Sequence, residues 1–211
     1  MTKLPAKKEN YWISLSDIMT GLMVIFLFIA LSYMRQIKQD QENQNRLLEE
    51  YQDTYVALYD TLKQEFESDF SKDKWNAELA EDLSIRFLNE EVLFDNNSAD
   101  IKEDFNDILD SFFPRYLGIL LSDNFRDKIS EVRIEGHTDS RGEYMYNVRL
   151  SQNRTSNVLD YLFYKEDSEY QNASETDREL MRYWFTTTGF SYGRTMDQSG
   201  ELTLVSGRNE N

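Results

Sequence analysis

The sequence predicts a single-pass transmembrane helix, a helical neck and an α+β domain with helices packed on a mixed β-sheet. Three observations predict it. Residues 18–34 form an uncharged apolar run near the N-terminus, and residues 35–113 contain neither Gly nor Pro. Beyond about residue 83, apolar residues alternate by two in some stretches and by three and four in others. The boundaries fall at 1–12 for a cytoplasmic tail, 13–34 for the span, 35–82 for a periplasmic neck and 83–211 for the distal domain.

Composition excludes several function classes. The 211 residues carry 23 Lys and Arg against 39 Asp and Glu, a net charge of −16. Such a chain repels polyanions, so no direct nucleic-acid binding is expected. There is no Cys, which removes disulfides, thiolate metal sites and Cys nucleophiles together. A single His disfavours a His-based zinc site or a Ser-His-Asp triad. No spaced pair of carboxylates stands out from the acidic background as the acid and base of a glycosidase would. The expectation is a protein that is not an enzyme and holds neither metal nor cofactor.

The run from Ile18 to Met34 (IMTGLMVIFLFIALSYM), extended back across Asp17, approaches the roughly 20 helical residues a bilayer core requires. It is apolar on all faces, unlike an amphipathic surface helix. Tyr11 and Trp12 before it and Tyr33 near its end are placed as interface anchors, and Arg35 and Lys38 close it. Lys3, Lys7 and Lys8 suit a signal peptide, but the run is too long and lacks a small-x-small cleavage site. Basic residues nearly tie across the span; the short tail and the large acidic remainder favour a cytoplasmic N-terminus. Asp17 lies about one turn inside, in SLSDIMTG. Two readings stand: an interfacial residue reaching for water, or a carboxylate that faces a protein partner and binds a proton or Na⁺. The second demands other transmembrane helices, because one helix cannot shield the group from lipid.

In the neck, Leu48, Tyr51, Tyr55, Leu58 and Leu62 are spaced as a helical stripe. A short dimer seam and a face packed on its own domain are equal alternatives. In the distal domain, Ile85, Phe87, Val92 and Phe94 suggest a strand pair around Asn89-Glu90-Glu91. Ser98 suits the N-cap of a helix presenting Ile101, Phe105, Ile108, Leu109 and Phe112 and ending at Pro114, with a short second helix from Pro114 to Leu117. A strand over 129–137 precedes a long helix offering Val148, Leu150, Val158, Leu159 and Leu162 to the core. Residues 165–180 read as an acidic insertion before the next element, Met181 to Thr188.

Between that strand and helix lie Gly136-His137-Thr138-Asp139-Ser140-Arg141-Gly142 and then Tyr146-Asn147-Val148-Arg149-Leu150-Ser151-Gln152-Asn153-Arg154. This pattern, GHTDSRG with YN..LS..R after it, resembles the signature of the OmpA-like peptidoglycan-binding domain family, over roughly residues 83–208. The resemblance implies that a loop and a helix N-terminus grip the diaminopimelate of a cell-wall peptide. Asp139 corresponds to the carboxylate that pairs its amino group, and Arg154 to the guanidinium that takes its carboxylate. Asn147 and Thr138 are supporting hydrogen-bonding groups, and Leu150 belongs to the same matched positions. Chemistry agrees: a zwitterionic end needs an acid and a base set apart, and Arg offers a planar fork. His137 reads as a structural residue at the strand end. The chain stops at Ser206–Asn211, where the family usually runs into an Asn-x-x-Arg-Arg-Val strand, so the natural protein is expected to continue.

A span with an intramembrane Asp followed by a wall-binding domain is similar to the B subunits of ion-driven rotary motors. That likeness implies a homodimer inside a pentamer of polytopic A subunits, a translocated H⁺ or Na⁺ carried by Asp17, and an inner-membrane location. Within this group, the rigid neck and the stretches FFPRYL and IEGHTDS resemble the B subunits of the Zorya anti-phage systems. Those would act with a ZorA-like partner and, indirectly, with cytosolic defence effectors. A flagellar-type stator subunit and a passive peptidoglycan tether are the alternatives.

Overall fold

The computed structural model describes residues 11–192, 195–196 and 202–203. The basic tail with Lys3, Lys7 and Lys8, and the terminal stretch Ser206–Asn211, lie outside the described residues. The chain divides into two units, Met1–Asp53 and Thr54–Asn211.

The described part of the first unit is a single helix. Helix α1 spans Tyr11–Phe66 and supplies its last turns to the second unit. It is long and apolar enough to cross a membrane, and from Leu15 to Met34 its large apolar side chains are exposed. Such a helix, apolar all round and uncovered by its own chain, suits hydrocarbon rather than water. The neck stripe divides. Leu48 and Tyr51 are exposed, whereas Leu58 and Leu62 are buried in the second unit.

The helix ends at Phe66 and does not continue to residue 82. Phe70 and Trp75 fold back so that their rings lie 5.9 and 6.0 Å from that of Phe66. Asn76, at φ 44°, completes the reversal. Arg115 clasps the same corner: Nε reaches Glu65 Oε1 at 2.6 Å, Nη1 reaches Asp69 Oδ2 at 2.8 Å, and the guanidinium lies 4.6 Å from the Phe66 ring centre.

The second unit is an α+β domain whose mixed strand pairing takes the form of small ladders. Strands β1 (Ala77–Leu79) and β2 (Ile85–Phe87) pair antiparallel. The expected pairing across Asn89-Glu90-Glu91 is absent. Residues Glu90–Leu93 form a short helix α2, and Phe94 instead bridges Ile101 and packs edge-on against Phe105 at 5.9 Å. Helix α3 spans Glu103–Leu120 and begins after Lys102, not after Ser98. Ser98 is spent on a local turn, its Oγ accepting from the Asp100 N–H at 2.9 Å. Nor does Pro114 end the helix. Phe105, Ile108, Leu109, Phe112, Phe113, Leu117 and Leu120 are all buried along α3. That burial, at about 1.5–3 kcal/mol for each large apolar side chain, outweighs the roughly 3 kcal/mol cost of an interior proline.

Strand β3 (Val132–His137) and strand β4 (Phe185–Ser191) run parallel, with Gly136 opposite Gly189 and a register shift before His137. Three helices make the crossover: α4 (Tyr144–Tyr164), α5 (Glu169–Asn172) and α6 (Glu175–Trp184). The segment 165–180 is thus largely helical, with Ser168 and Ser174 as N-caps and Tyr170 buried. The next element begins at Glu175 and changes to strand after Trp184, not at Met181. Tyr170 stacks on Phe163 with ring centres 4.3 Å apart, which gives this acidic segment its hold on the core. Strands β5 (Thr195–Met196) and β6 (Leu202–Thr203) pair antiparallel.

Helix α4 corrects the sequence reading of its inner face. Val158 and Leu162 are buried as expected, but Val148 and Leu150 are only half-buried, and Asn147, Ser151 and Thr155 point inward instead. The helix lies too close to the strands for large residues. A Cβ on Gly136 would stand 2.6 Å from the Ser151 carbonyl oxygen, and one on Gly189 would stand 2.4 Å from the Gln152 nitrogen. Small and polar side chains are what this gap holds.

Candidate functional site

The loop between β3 and α4 carries the motif. Thr138 follows the end of β3, and its N–H donates to the Ser191 carbonyl at the end of β4, 3.1 Å away. Asp139 then folds over its own loop. Its Oδ1 accepts the Arg141 backbone N–H at 2.9 Å, and its Oδ2 accepts both Nε (2.8 Å) and Nη2 (2.5 Å) of the Arg141 side chain. Gly142, at φ 92°, lets the chain turn into α4. The Arg141 side chain, then its backbone N–H, hold the Asp139 carboxyl below its ordinary range, and the charge of Arg154 acts in the same direction.

Asn147, in the first turn of α4, is buried and aims back at the loop. Its Nδ2 donates to the carbonyl oxygens of Arg141 (2.8 Å) and Asp139 (3.4 Å). Two turns further on, Arg154 donates from Nε to the Ser98 carbonyl at 2.9 Å and from Nη2 to the Asp95 carbonyl at 3.2 Å. Its guanidinium lies 4.7 Å from the centre of the Phe94 ring. The segment 94–98 therefore cradles the cation from one side, with Asp139 in electrostatic reach of it.

The fold thus gathers Thr138, Asp139 and Asn147 at one end of the β3–β4 ladder, with Arg154 held by the 94–98 segment close enough for its charge to act on Asp139. Leu150 is half-buried on α4, outside the buried core cluster. His137 ends β3 and stacks on Phe190 with ring centres 5.6 Å apart. Sequence reading passed over Arg141, although it stands inside the motif, because an exposed loop Arg has no pattern of its own. It also passed over Ser151, whose Oγ accepts the Ser191 N–H at 3.1 Å and ties α4 to the end of β4. Ser191 is fully buried at φ 54°, and its Oγ, like that of Thr138, has no hydrogen-bond partner among the described residues. Among the described residues, no group of three or more His, Asp or Glu side chains could hold a metal ion.

Asp17 belongs to the first unit. It is exposed on α1, and the Thr20 hydroxyl one turn on donates to the Ser16 carbonyl at 2.8 Å. Thr20 and Gly21 share its face at helical spacing, and a Cβ on Gly21 would meet nothing within 4 Å. This face admits close approach by another helix.

Residues 93–173 match the OmpA family, so the second unit carries an OmpA-family domain behind a membrane-capable helix. The chain is 36% identical to the Zorya protein ZorB of Escherichia coli (strain Crooks), covering 94% of this chain and 86% of that protein. It is 24% identical to the Zorya protein ZorB of Escherichia coli O139:H28 (strain E24377A), covering 90% of this chain and 76% of that protein. The chain belongs to the ZorB family. Among solved structures, a MotB-like protein from Desulfovibrio vulgaris aligns at 18% identity and a TM-score of 0.43, over 69% of this chain and 80% of that one.

Proposed function

We propose that this chain is the B subunit of an ion-driven rotary motor of the inner membrane, anchored to peptidoglycan and acting in anti-phage defence. The reading rests on one juxtaposition: a carboxylate on an apolar helix and a wall-type binding loop in the same chain. Asp17 carries H⁺ or Na⁺ in a pathway completed by a polytopic, ZorA-like pentamer, within which two copies of this chain sit. Each charge crossing about 100 mV releases about 2.3 kcal/mol, enough to bias a conformational step. The N-terminus lies in the cytoplasm and the OmpA-family domain in the periplasm. Activation reaches cytosolic effectors through the partner, without direct nucleic-acid binding by this chain.

At the wall, Asp139 pairs the ammonium of the stem peptide's diaminopimelate and Arg154 forks its carboxylate. Asn147 holds the loop, Thr138 offers a buried hydroxyl beneath it, and Leu150 lends apolar surface. Anchoring keeps this chain still, so that work emerges as motion of the partner.

The test is Asp17→Asn in cells that carry the whole defence system. Loss of phage protection with unchanged membrane level and unchanged retention on purified peptidoglycan supports the motor. Full protection by the variant overturns ion carriage and leaves a passive tether.

A further inference from the structure

The ion pair inside the loop constrains how the site is filled. The two oxygens of Asp139 have separate duties. Oδ1 is committed to the Arg141 backbone N–H, a bond internal to the turn. Oδ2 is the oxygen left for an incoming ammonium, and the Arg141 guanidinium already holds it through two hydrogen bonds. That guanidinium is the geometric equivalent of the cation the site is built to receive.

The arrangement is easily reversed. The Arg141 side chain is 79% exposed, against 41% for Asp139, so the pair sits in water and is weak. The backbone beneath it is pinned independently by Asn147, which holds the Arg141 and Asp139 carbonyls. The loop backbone therefore does not depend on the Arg141–Asp139 side-chain pair, and exchanging that pair for another leaves it in place.

We propose that Arg141 is an internal competitor at Asp139, which a ligand ammonium must displace, and that it sets the site's preference for an amine carrying a carboxylate beside it. A bare ammonium, such as that of a lysine side chain, exchanges one cation for another at Oδ2 and gains little. An amino-acid end also brings a carboxylate, which engages Arg154 and the displaced Arg141 guanidinium together. The competitor thus becomes a second clamp only for the zwitterionic ligand. This inference rests on the assignment of Asp139 as the ammonium-binding group.

The experiment uses the full chain in detergent, retained on purified diaminopimelate-type sacculi and displaced by free meso-2,6-diaminopimelic acid or by 1,5-diaminopentane, whose ammonium groups have no carboxylate beside them. Arg141→Gln is expected to make 1,5-diaminopentane about two- to five-fold more effective, the worth of an exposed ion pair, whereas diaminopimelic acid gains less because the second clamp is lost with the competitor. The margin by which diaminopimelic acid outcompetes the diamine should therefore narrow. A generic effect of removing one cation from a chain of net charge −16 does not depend on the Asp139 carboxylate, whereas relief of the competitor does. In an Asp139→Asn background the gain from Arg141→Gln should vanish. An unchanged margin between diaminopimelic acid and the diamine in Arg141→Gln, with retention lost in Asp139→Asn, overturns the competitor alone. Full retention by Asp139→Asn overturns the site assignment itself, and the competitor with it.

Discussion

The side-chain amide of Asn147 donates to the carbonyl oxygen of Arg141 at 2.8 Å, closing the β3–α4 loop onto the helix it precedes. The amide is almost fully buried, so removing it strands a carbonyl and leaves a cavity. Asn147→Ala should cost about 1–3 kcal/mol in a chemical unfolding curve. Retention on peptidoglycan should fall further than that loss of stability explains, because the loop carrying Asp139 loses its brace. Full retention by a folded Asn147→Ala variant would show that the brace is dispensable.

The glycines predict opposite outcomes for one kind of substitution. Gly136→Ala and Gly189→Ala push a methyl into the α4 backbone and should each destabilise by about 1–3 kcal/mol or more. Gly118→Ala lies on α3 with nothing within 4 Å of the new Cβ and should stabilise by about 0.5–1 kcal/mol through helix propensity. Thermal melts of the three variants provide the comparison.

Phe66 and Leu48 sit on the same helix in unlike surroundings. Phe66 is fully buried among Phe70, Trp75 and Phe112, so Phe66→Ala should cost about 3–5 kcal/mol. Leu48 is 60% exposed, and Leu48→Ala should change the unfolding of the single chain by less than about 0.5 kcal/mol. If the proposed homodimer uses the upper stripe as a seam, Leu48→Ala will instead shift the dimer to higher concentration in analytical ultracentrifugation.

Acid should weaken the corner where α1 ends. A hydrogen bond from Lys74, then one from Arg115, hold the Asp69 carboxyl below its ordinary value of 3.8. A carboxyl whose pKa is lower folded than unfolded stabilises the fold above the unfolded value, and that contribution drains away as pH falls through the folded value. Stability should therefore hold down to about pH 4 and decline below it. Asp69→Asn should flatten part of the decline, since Asp82, Glu131 and Asp139 are lowered in the same direction and contribute as well. An unaltered acid limb in Asp69→Asn would count against this assignment.

Legibility in the sequence followed the range of the interactions. The membrane-capable helix was plain because an apolar run needs no distant partner to be read, and every residue from Ile18 to Met34 is uncharged. The loop was plain because its geometry is set within ten residues, Asn147 holding the carbonyl oxygens of Asp139 and Arg141. What failed was decided at a distance. Pro114 reads locally as a helix end, and only the burial of Phe113 and Leu117 on either side of it keeps α3 intact. Ser98 reads as a cap, yet its carbonyl is needed by Arg154 from 56 residues away. Val148 and Leu150 have core chemistry, but the glycines on the strands select Ser151 and Thr155 for the inner face. Arg141 was overlooked for a different reason: its partner is two residues away, and a short-range ion pair leaves no periodic trace.

Gly136 and Gly189 face each other across β3 and β4 and press on neighbouring residues of one helix, Ser151 and Gln152. They form a single slot with two walls, and its width is a shared quantity. A side chain at either wall lifts α4 from both, and the helix carries Asn147 and Arg154 with it. The spacing between Asp139 and Arg154, the acid and base proposed to grip the wall peptide, is thereby tied to two residues outside the loop. Drift at these positions must be simultaneous or absent, so descendants of this chain should change both glycines together or neither.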